Sequence, residues 1–163
     1  RLMQLPNIII VEGIDRVGKT TLVNKIVDKY GYKIFKAELP EVINGYDEIT
    51  KMKAIMSILK LLKNDKIIFD RFHFTEYVYG SLERNYNNIE ILNIDKQLAE
   101  LNSLLILMKP TDIIKSSEEH GNNLTRHDIL FDALYLLSDI ERIKCNYNSM
   151  DKIIKYLDVL GGK

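Results

Sequence analysis

The chain alternates short, uniformly apolar runs with longer stretches whose apolar residues return at helical spacing. Asn7 to Glu12 reads NIIIVE, a β-branched run without polar alternation, as expected of a parallel strand buried on both faces. Leu22, Ile26, Val27 and Tyr30 then mark a helix that Gly31 stops. Lys33 to Lys36 reads as a second strand, and ELPEVINGYDE, with Pro40 and Gly45, as a loop. A helix is predicted from about Asp47 to Leu62, with Met52, Ile55, Met56, Leu59 and Leu62 on one face. Lys66 to Asp70 is a third strand that ends in an acid, and FHFTEYVYGSL is helical despite its aromatics. A further helix around Ile89 to Leu101 leads into LLILMK, a fourth strand ended by Pro110. Two helical stretches follow, parted by Gly121-Asn122-Asn123. The second has Ile129, Leu130, Ala133, Leu134, Leu137 and Ile140 as its apolar positions. RIKCNY is the fifth strand, and SMDKIIKYLDVL an amphipathic last helix capped by Ser149.

Strands alternating with helices predict an α/β fold: a five-stranded parallel sheet with helices on both faces. A length of 163 residues fits one domain over 1–163, and no repeat or linker divides it. Ligands of such sheets bind beyond the carboxyl ends of the strands. The Gly13 loop, Asp70 and the segment after Lys109 are expected to meet there.

Composition narrows the setting. Lys plus Arg and Asp plus Glu both number 23, so the net charge of +0 disfavours a strongly electrostatic nucleic-acid or membrane binder. No apolar run approaches the roughly 20 residues of a membrane-spanning helix. The amino-terminal residues lack a secretory pattern. Cys145 is the single cysteine, which excludes an internal disulfide and fits a cytoplasmic location. His73, His120 and His127 have no metal-ligand spacing with it.

The chemistry begins at Gly13-Ile14-Asp15-Arg16-Val17-Gly18-Lys19-Thr20, which matches the G-x-x-x-x-G-K-[ST] phosphate loop at every position. Glycines let the backbone turn so that successive N–H groups face phosphate oxygens, and the following helix adds its positive end. Lys19 would reach the β- and γ-phosphates of ATP, and the Thr20 hydroxyl would ligate Mg²⁺. The match follows a predicted strand and opens a predicted helix, the context it requires. Asp70 at the end of IIFD is the strand-borne acid expected to help hold Mg²⁺. Arg71 beside it offers a planar fork suited to a phosphate dianion.

VEGIDRVGKTTL is similar to the phosphate-loop signature of thymidylate kinases, and DRFHFTEYVYG resembles that family's second signature. The two blocks stand at the family's separation and strand positions. The resemblance implies a P-loop NTPase fold of three α/β/α layers and an ATP- and Mg²⁺-dependent nucleoside monophosphate kinase. It implies that Gly13, Asp15, Arg16, Val17, Gly18, Lys19, Thr20 and Thr21 bind the ATP. Asp15 would hydrogen-bond the deoxyribose 3′-hydroxyl or help hold Mg²⁺, and Arg16 would stabilise the transferring phosphoryl group. Arg71 would clamp the acceptor phosphate with Asp70 nearby, Thr75 would contact the base, and Tyr79 would sit against the sugar. It also implies a homodimer. The region after the fourth strand, where the family's lid lies, contains only Arg126 and Lys115 as fixed cations, consistent with a catalytic arginine in the loop.

Where the family has Phe-Pro-x-Arg, this chain has FKAELPEV, with acids in place of the arginine that packs over the base, so thymine specificity does not carry over from the resemblance. A deoxynucleoside kinase is the nearest alternative; its neutral hydroxyl acceptor needs a general base, for which Glu38 and Glu41 are candidates. Asp15 within the loop and Asp70 in place of the alternative's Glu favour a monophosphate acceptor. The neutral charge and the lack of a basic run disfavour a polynucleotide 5′-kinase, and a regulatory nucleotide-binding NTPase is the remaining alternative. It lacks a guanine-reading Asn-Lys-x-Asp, and it leaves the second signature unexplained.

Overall fold

The computed structural model describes residues 3–35, 48–62, 65–84, 89–111 and 123–162. The strands are β1 (Ile8–Glu12), β2 (Lys33–Phe35), β3 (Ile67–Asp70), β4 (Ser103–Lys109) and β5 (Glu141–Asn146). The helices are α1 (Lys19–Tyr30), α2 (Glu48–Leu61), α3 (His73–Glu83), α4 (Glu90–Ala99), α5 (Asn123–Leu137) and α6 (Met150–Leu160). A 3₁₀ turn, Tyr147–Ser149, joins β5 to α6.

All pairings are parallel, in the order β2-β3-β1-β4-β5. β1 is central and every one of its residues is buried, which explains the unbroken apolar run. One helical layer joins α1 to α6, where the Tyr30 hydroxyl donates to Ile154 O and Asp158, and Lys29 pairs with Asp158. The other runs α2, α4, α3, α5, each touching the next. The architecture is therefore three-layer α/β/α.

Register positions the functional edge. Val11 stands beside Asp70 and Glu12 beside Leu107, so Gly13, Arg71 and Met108 emerge together at the carboxyl ends. The Arg71 N–H donates to Val11 O at 2.9 Å and ties the two leading strands at their exit.

Three expectations are corrected. In α5, Ile129 and Leu137 are exposed, while Leu124, His127, Asp128, Phe131 and Leu134 face inward; Ile140 is buried but lies beyond the helix. The inward face is mixed because His127 meets Glu83 of α3 and Asp128 meets Lys109 at the end of β4, so apolar spacing alone selects the wrong side. Leu62 lies past the end of α2 and is exposed. Ser149 does precede α6, yet its hydroxyl does not cap it; it accepts from the Asn146 N–H and bonds the Asn146 side chain instead. The predicted loop after β2 and the first of the two helical stretches after β4 lie outside the described residues.

Candidate functional site

The phosphate loop is built on backbone that only its glycines tolerate without strain. Gly13 has φ 139°, and a Cβ there would stand 2.3 Å from Met108 O of the neighbouring strand. Gly18 has φ 93°, with Tyr147 and Met150 packed where its side chain would go. Between them Arg16 adopts a left-handed φ of 61° and reaches solvent. No side chain caps α1, whose first helical bond runs from Leu22 N–H to Gly18 O. Its leading N–H groups therefore lack intrahelical acceptors and suit an anion.

Lys19 is buried at the base of this turn, where its ammonium donates to Ile14 O. Burial, and then the positive charge of Arg71, bring its pKa down to about 8, against the pull of Asp15, Glu12 and Asp70. In the unliganded chain, burying charged Lys19 costs stability below pH 8. Between about pH 8 and 10.5 the folded form has released a proton that the unfolded form keeps, so stability rises. A bound polyphosphate reverses the balance by favouring the ammonium. ATP is expected to bind with proton uptake above about pH 8, losing up to about tenfold in affinity per pH unit. Calorimetry at pH 9 in buffers of different ionisation enthalpy measures this directly, and equal heats in all buffers would contradict it.

Beside Lys19, the Thr20 hydroxyl donates to Asp70 Oδ2 at 2.8 Å. Two hard oxygen donors thus sit together at the mouth of the loop. Mg²⁺ typically takes one or two protein oxygens and completes its shell with phosphate oxygens and water, so these residues fit it. Arg71, left-handed at φ 71°, lays its guanidinium 2.5 Å from Asp15 Oδ1. Both partners are nearly half exposed, so the pair contributes little to stability and is readily exchanged for a ligand.

Sequence reasoning passed over the residue that holds this edge together. Glu12 is fully buried, and its carboxylate accepts from the N–H groups of Phe72, Phe74 and Thr75 and from the Thr75 hydroxyl. It caps α3 from a different strand and thereby fixes the chain on both sides of Arg71. The available signal was an acid ending a strand otherwise made of buried aliphatics. Glu12→Ala is expected to destabilise the fold by about 2–4 kcal/mol, because several buried donors lose a charged acceptor. Urea unfolding checks it; a loss below about 1 kcal/mol would show that the donors find other partners.

The other predicted residues are distributed around this edge. The Thr75 hydroxyl is engaged by Glu12. Tyr79 packs at a tilt of 54° against His127, ring centroids 4.7 Å apart, and the His127 Nε2 lies 3.0 Å from Glu83. The Tyr79 hydroxyl is buried beside Asp15; burial, then the charge of Asp15, push its pKa up to about 12. Val17 and Thr21 remain with the loop and the first turn of α1. His73 is fully buried and belongs to the scaffold. It bonds Asp95, which also accepts from Ser138 and the Asp139 N–H. Burial acts to raise the Asp95 pKa, but these bonds, His73 first, hold it below its usual value. Lys109, at the end of β4, is pinned by Asp128 and Asp132, contacts that no motif announced. Glu38, Glu41 and Lys115 lie outside the described residues, and Arg126 is exposed on α5.

A cavity of about 310 Å³ adjoins the loop, lined by Asp15, Arg16, Val17, Pro110, Thr111, Tyr147 and Asn148. Its position leaves room for a ligand wider than a phosphate chain. No described helix is long and apolar enough to cross a membrane.

No family model matches the sequence, and no curated protein does. Solved structures match it over nearly the whole chain. The YorR protein of Bacillus subtilis, in complex with phosphorylated GDP, superimposes with a TM-score of 0.69 at 20% identity, covering 94% of each chain. Deoxyadenosine kinase from M. mycoides, with dCMP and dCDP bound, gives 0.56 at 16% identity over 93% of this chain and 99% of that one. Thymidylate kinase from Candida albicans gives 0.51 at 15% identity over 94% and 89%. At these identities the likeness is one of fold: the three-layer P-loop architecture that thymidylate kinases and deoxyadenosine kinase share.

Proposed function

We propose that this chain is a phosphotransferase that passes the γ-phosphoryl group of ATP to the phosphate of a deoxynucleoside monophosphate, dTMP or a related nucleotide. The observation that carries the reading is the arrangement at one sheet edge: buried Lys19, the Thr20–Asp70 pair and the Arg71–Asp15 pair stand together. The first two elements suit a triphosphate with its metal. The third offers a guanidinium that an acceptor phosphate can take over from Asp15. The matching kinases support the same class of reaction.

Phosphoryl transfer needs positioning and charge neutralisation more than covalent help. Loop amides and α1 hold the polyphosphate, and Lys19 follows the charge on the group in transit. Arg16, at the exposed tip of the loop, faces that group from the solvent side. Arg71 binds the acceptor phosphate, and the freed Asp15 turns to the sugar hydroxyl or the metal. Thr20 and Asp70 would hold Mg²⁺, which would supply charge neutralisation on the bound polyphosphate. A monophosphate brings its nucleophilic oxygen already ionised, so the site needs no general base.

The likeness to deoxyadenosine kinase favours a second reading, in which a nucleoside 5′-hydroxyl is the acceptor. Coupled ATP consumption against a panel of deoxynucleosides and their monophosphates separates the two. Turnover is expected with a monophosphate. Turnover with nucleosides alone would overturn the acceptor assignment, and slow hydrolysis indifferent to every acceptor would favour a regulatory NTPase.

A further inference from the structure

The pair formed by Arg71 and Asp15 is one end of a longer chain of contacts that reaches helix α5. Arg71 pairs with Asp15, and the buried Tyr79 hydroxyl lies beside Asp15. The Tyr79 ring rests against His127 of α5, and the His127 Nε2 lies at Glu83. Tyr79 and Glu83 stand four residues apart on α3 and so share a face. One imidazole therefore spans a full turn of α3, its ring against the aromatic and its nitrogen at the carboxylate. His127 is buried, whereas Glu83 is half exposed. Its apolar companions on the inward face of α5 are Leu124, Phe131 and Leu134. Another aliphatic side chain would fill the position without the cost of burying a polar ring. Asp128, the next residue, is tied to Lys109 at the end of β4, which pairs with β1. The backbone that carries the imidazole is thus fixed to the sheet edge from which the phosphate loop also springs.

We propose that His127 is a positioning residue for the acceptor. Held at Glu83, it keeps the Tyr79 ring in place, and with it the hydroxyl beside Asp15. The Arg71–Asp15 pair is then presented to the incoming acceptor in one geometry. His127 acts through Tyr79 rather than on the substrate. The gain is preorganisation: a ring fixed before binding leaves less side-chain freedom to lose when the acceptor arrives. The ATP side does not depend on this contact, because its turn is set by Gly13 and Gly18 and by the burial of Lys19. The role rests on the reading of Arg71 as the clamp for the acceptor phosphate.

Steady-state kinetics with the best acceptor of the deoxynucleoside and monophosphate panel tests it, alongside fluorine NMR of the 3-fluorotyrosine-labelled chain. Tyr79→Phe identifies the Tyr79 signal. His127→Ala is expected to raise the acceptor KM about tenfold or more while the ATP KM stays within about twofold of the parent. Its Tyr79 signal should move toward that of an exposed tyrosine. His127→Phe restores a ring against Tyr79 and should bring the acceptor KM back to within about threefold of the parent. Glu83→Ala, at a half-exposed position, keeps the fold and frees the imidazole, so the acceptor KM should rise about threefold or more even if His127→Ala folds poorly. Acceptor and ATP KM values that rise together, or a loss of melting temperature alone, would mark His127 as scaffold and overturn the proposal. So would an unmoved Tyr79 signal in His127→Ala, or an acceptor KM that Glu83→Ala leaves unchanged. A parent chain that turns over no member of the panel overturns the kinase reading and this role with it, a failure seen before any variant is made.

Discussion

Replacing Arg16 by Gly is expected to lower kcat by about 10³–10⁵-fold, the range seen when an arginine leaves a phosphoryl-transfer site. Glycine is the informative substitution. Arg16 sits at φ 61°, a left-handed conformation that Gly adopts without strain, so Gly removes the side chain without giving the loop a reason to move. Folding stability should therefore stay within about 1 kcal/mol of the parent, as Arg16 is exposed. Arg16→Lys keeps the charge without the planar fork and should fall between the two. Lys19→Ala provides the comparison from inside the loop. It should cost about 10²–10³-fold in kcat, the usual effect of losing one preorganised donor. Its folding stability should hold near neutral pH, because it removes a charge that the fold already disfavours. Steady-state kinetics with the accepted monophosphate, paired with urea unfolding, separates these effects. Turnover of Arg16→Gly within tenfold of the parent would remove Arg16 from the transfer step.

Much of this edge was legible in the sequence because its constraints are local. Gly13 to Thr20 is one contiguous turn, and IIFD followed by Arg71 announces a strand with an acid and a cation at its tip. Strand-by-strand reading also succeeded, since a parallel strand buried on both faces needs an apolar run, as Ile8–Val11 of β1 and Leu104–Met108 of β4 supply. Long-range polar contacts were not legible. Glu12 bonds a helix sixty residues away, and Lys109 finds Asp128 and Asp132 across a stretch of chain that no motif spans. Helix α5 fails for a related reason. Its inward His127 and Asp128 are polar and its outward Ile129, Leu136 and Leu137 apolar, so periodicity alone is inverted by the polar contacts that His127 makes with Glu83 and Asp128 with Lys109. The Ser149 hydroxyl shows the same limit on a smaller scale: the residue type predicts a cap, but the backward bond to Asn146 takes the side chain first.

Gly13→Ala is expected to be the most damaging small substitution in the chain, and a graded glycine series shows why. At Gly31, φ is 74° and nothing lies within 4 Å of an added Cβ, so Ala there should cost about 1 kcal/mol of conformational strain alone. At Gly18 the φ of 93° adds to a clash with Tyr147 and Met150, but both obstacles are side-chain ends that can rotate away. At Gly13 the obstacle is Met108 O, 2.3 Å away, part of the β4 backbone that pairs with β1. That carbonyl cannot swing aside without pulling β4 off the central strand, and φ 139° is closed to an L side chain in any case. Strain of about 1–3 kcal/mol and overpacking of about 1–3 kcal/mol then act together. The chain has two ways to relieve them: loosen the β1–β4 edge or move the phosphate loop. Either displaces the amides that would grip the polyphosphate, so ATP affinity should fall with stability. Thermal unfolding and nucleotide titration of the three variants should rank Gly31→Ala mildest, Gly18→Ala next and Gly13→Ala most severe in both measurements. A Gly13→Ala chain as stable as Gly31→Ala would mean that β1 and β4 part more easily than their uniformly buried, paired residues imply.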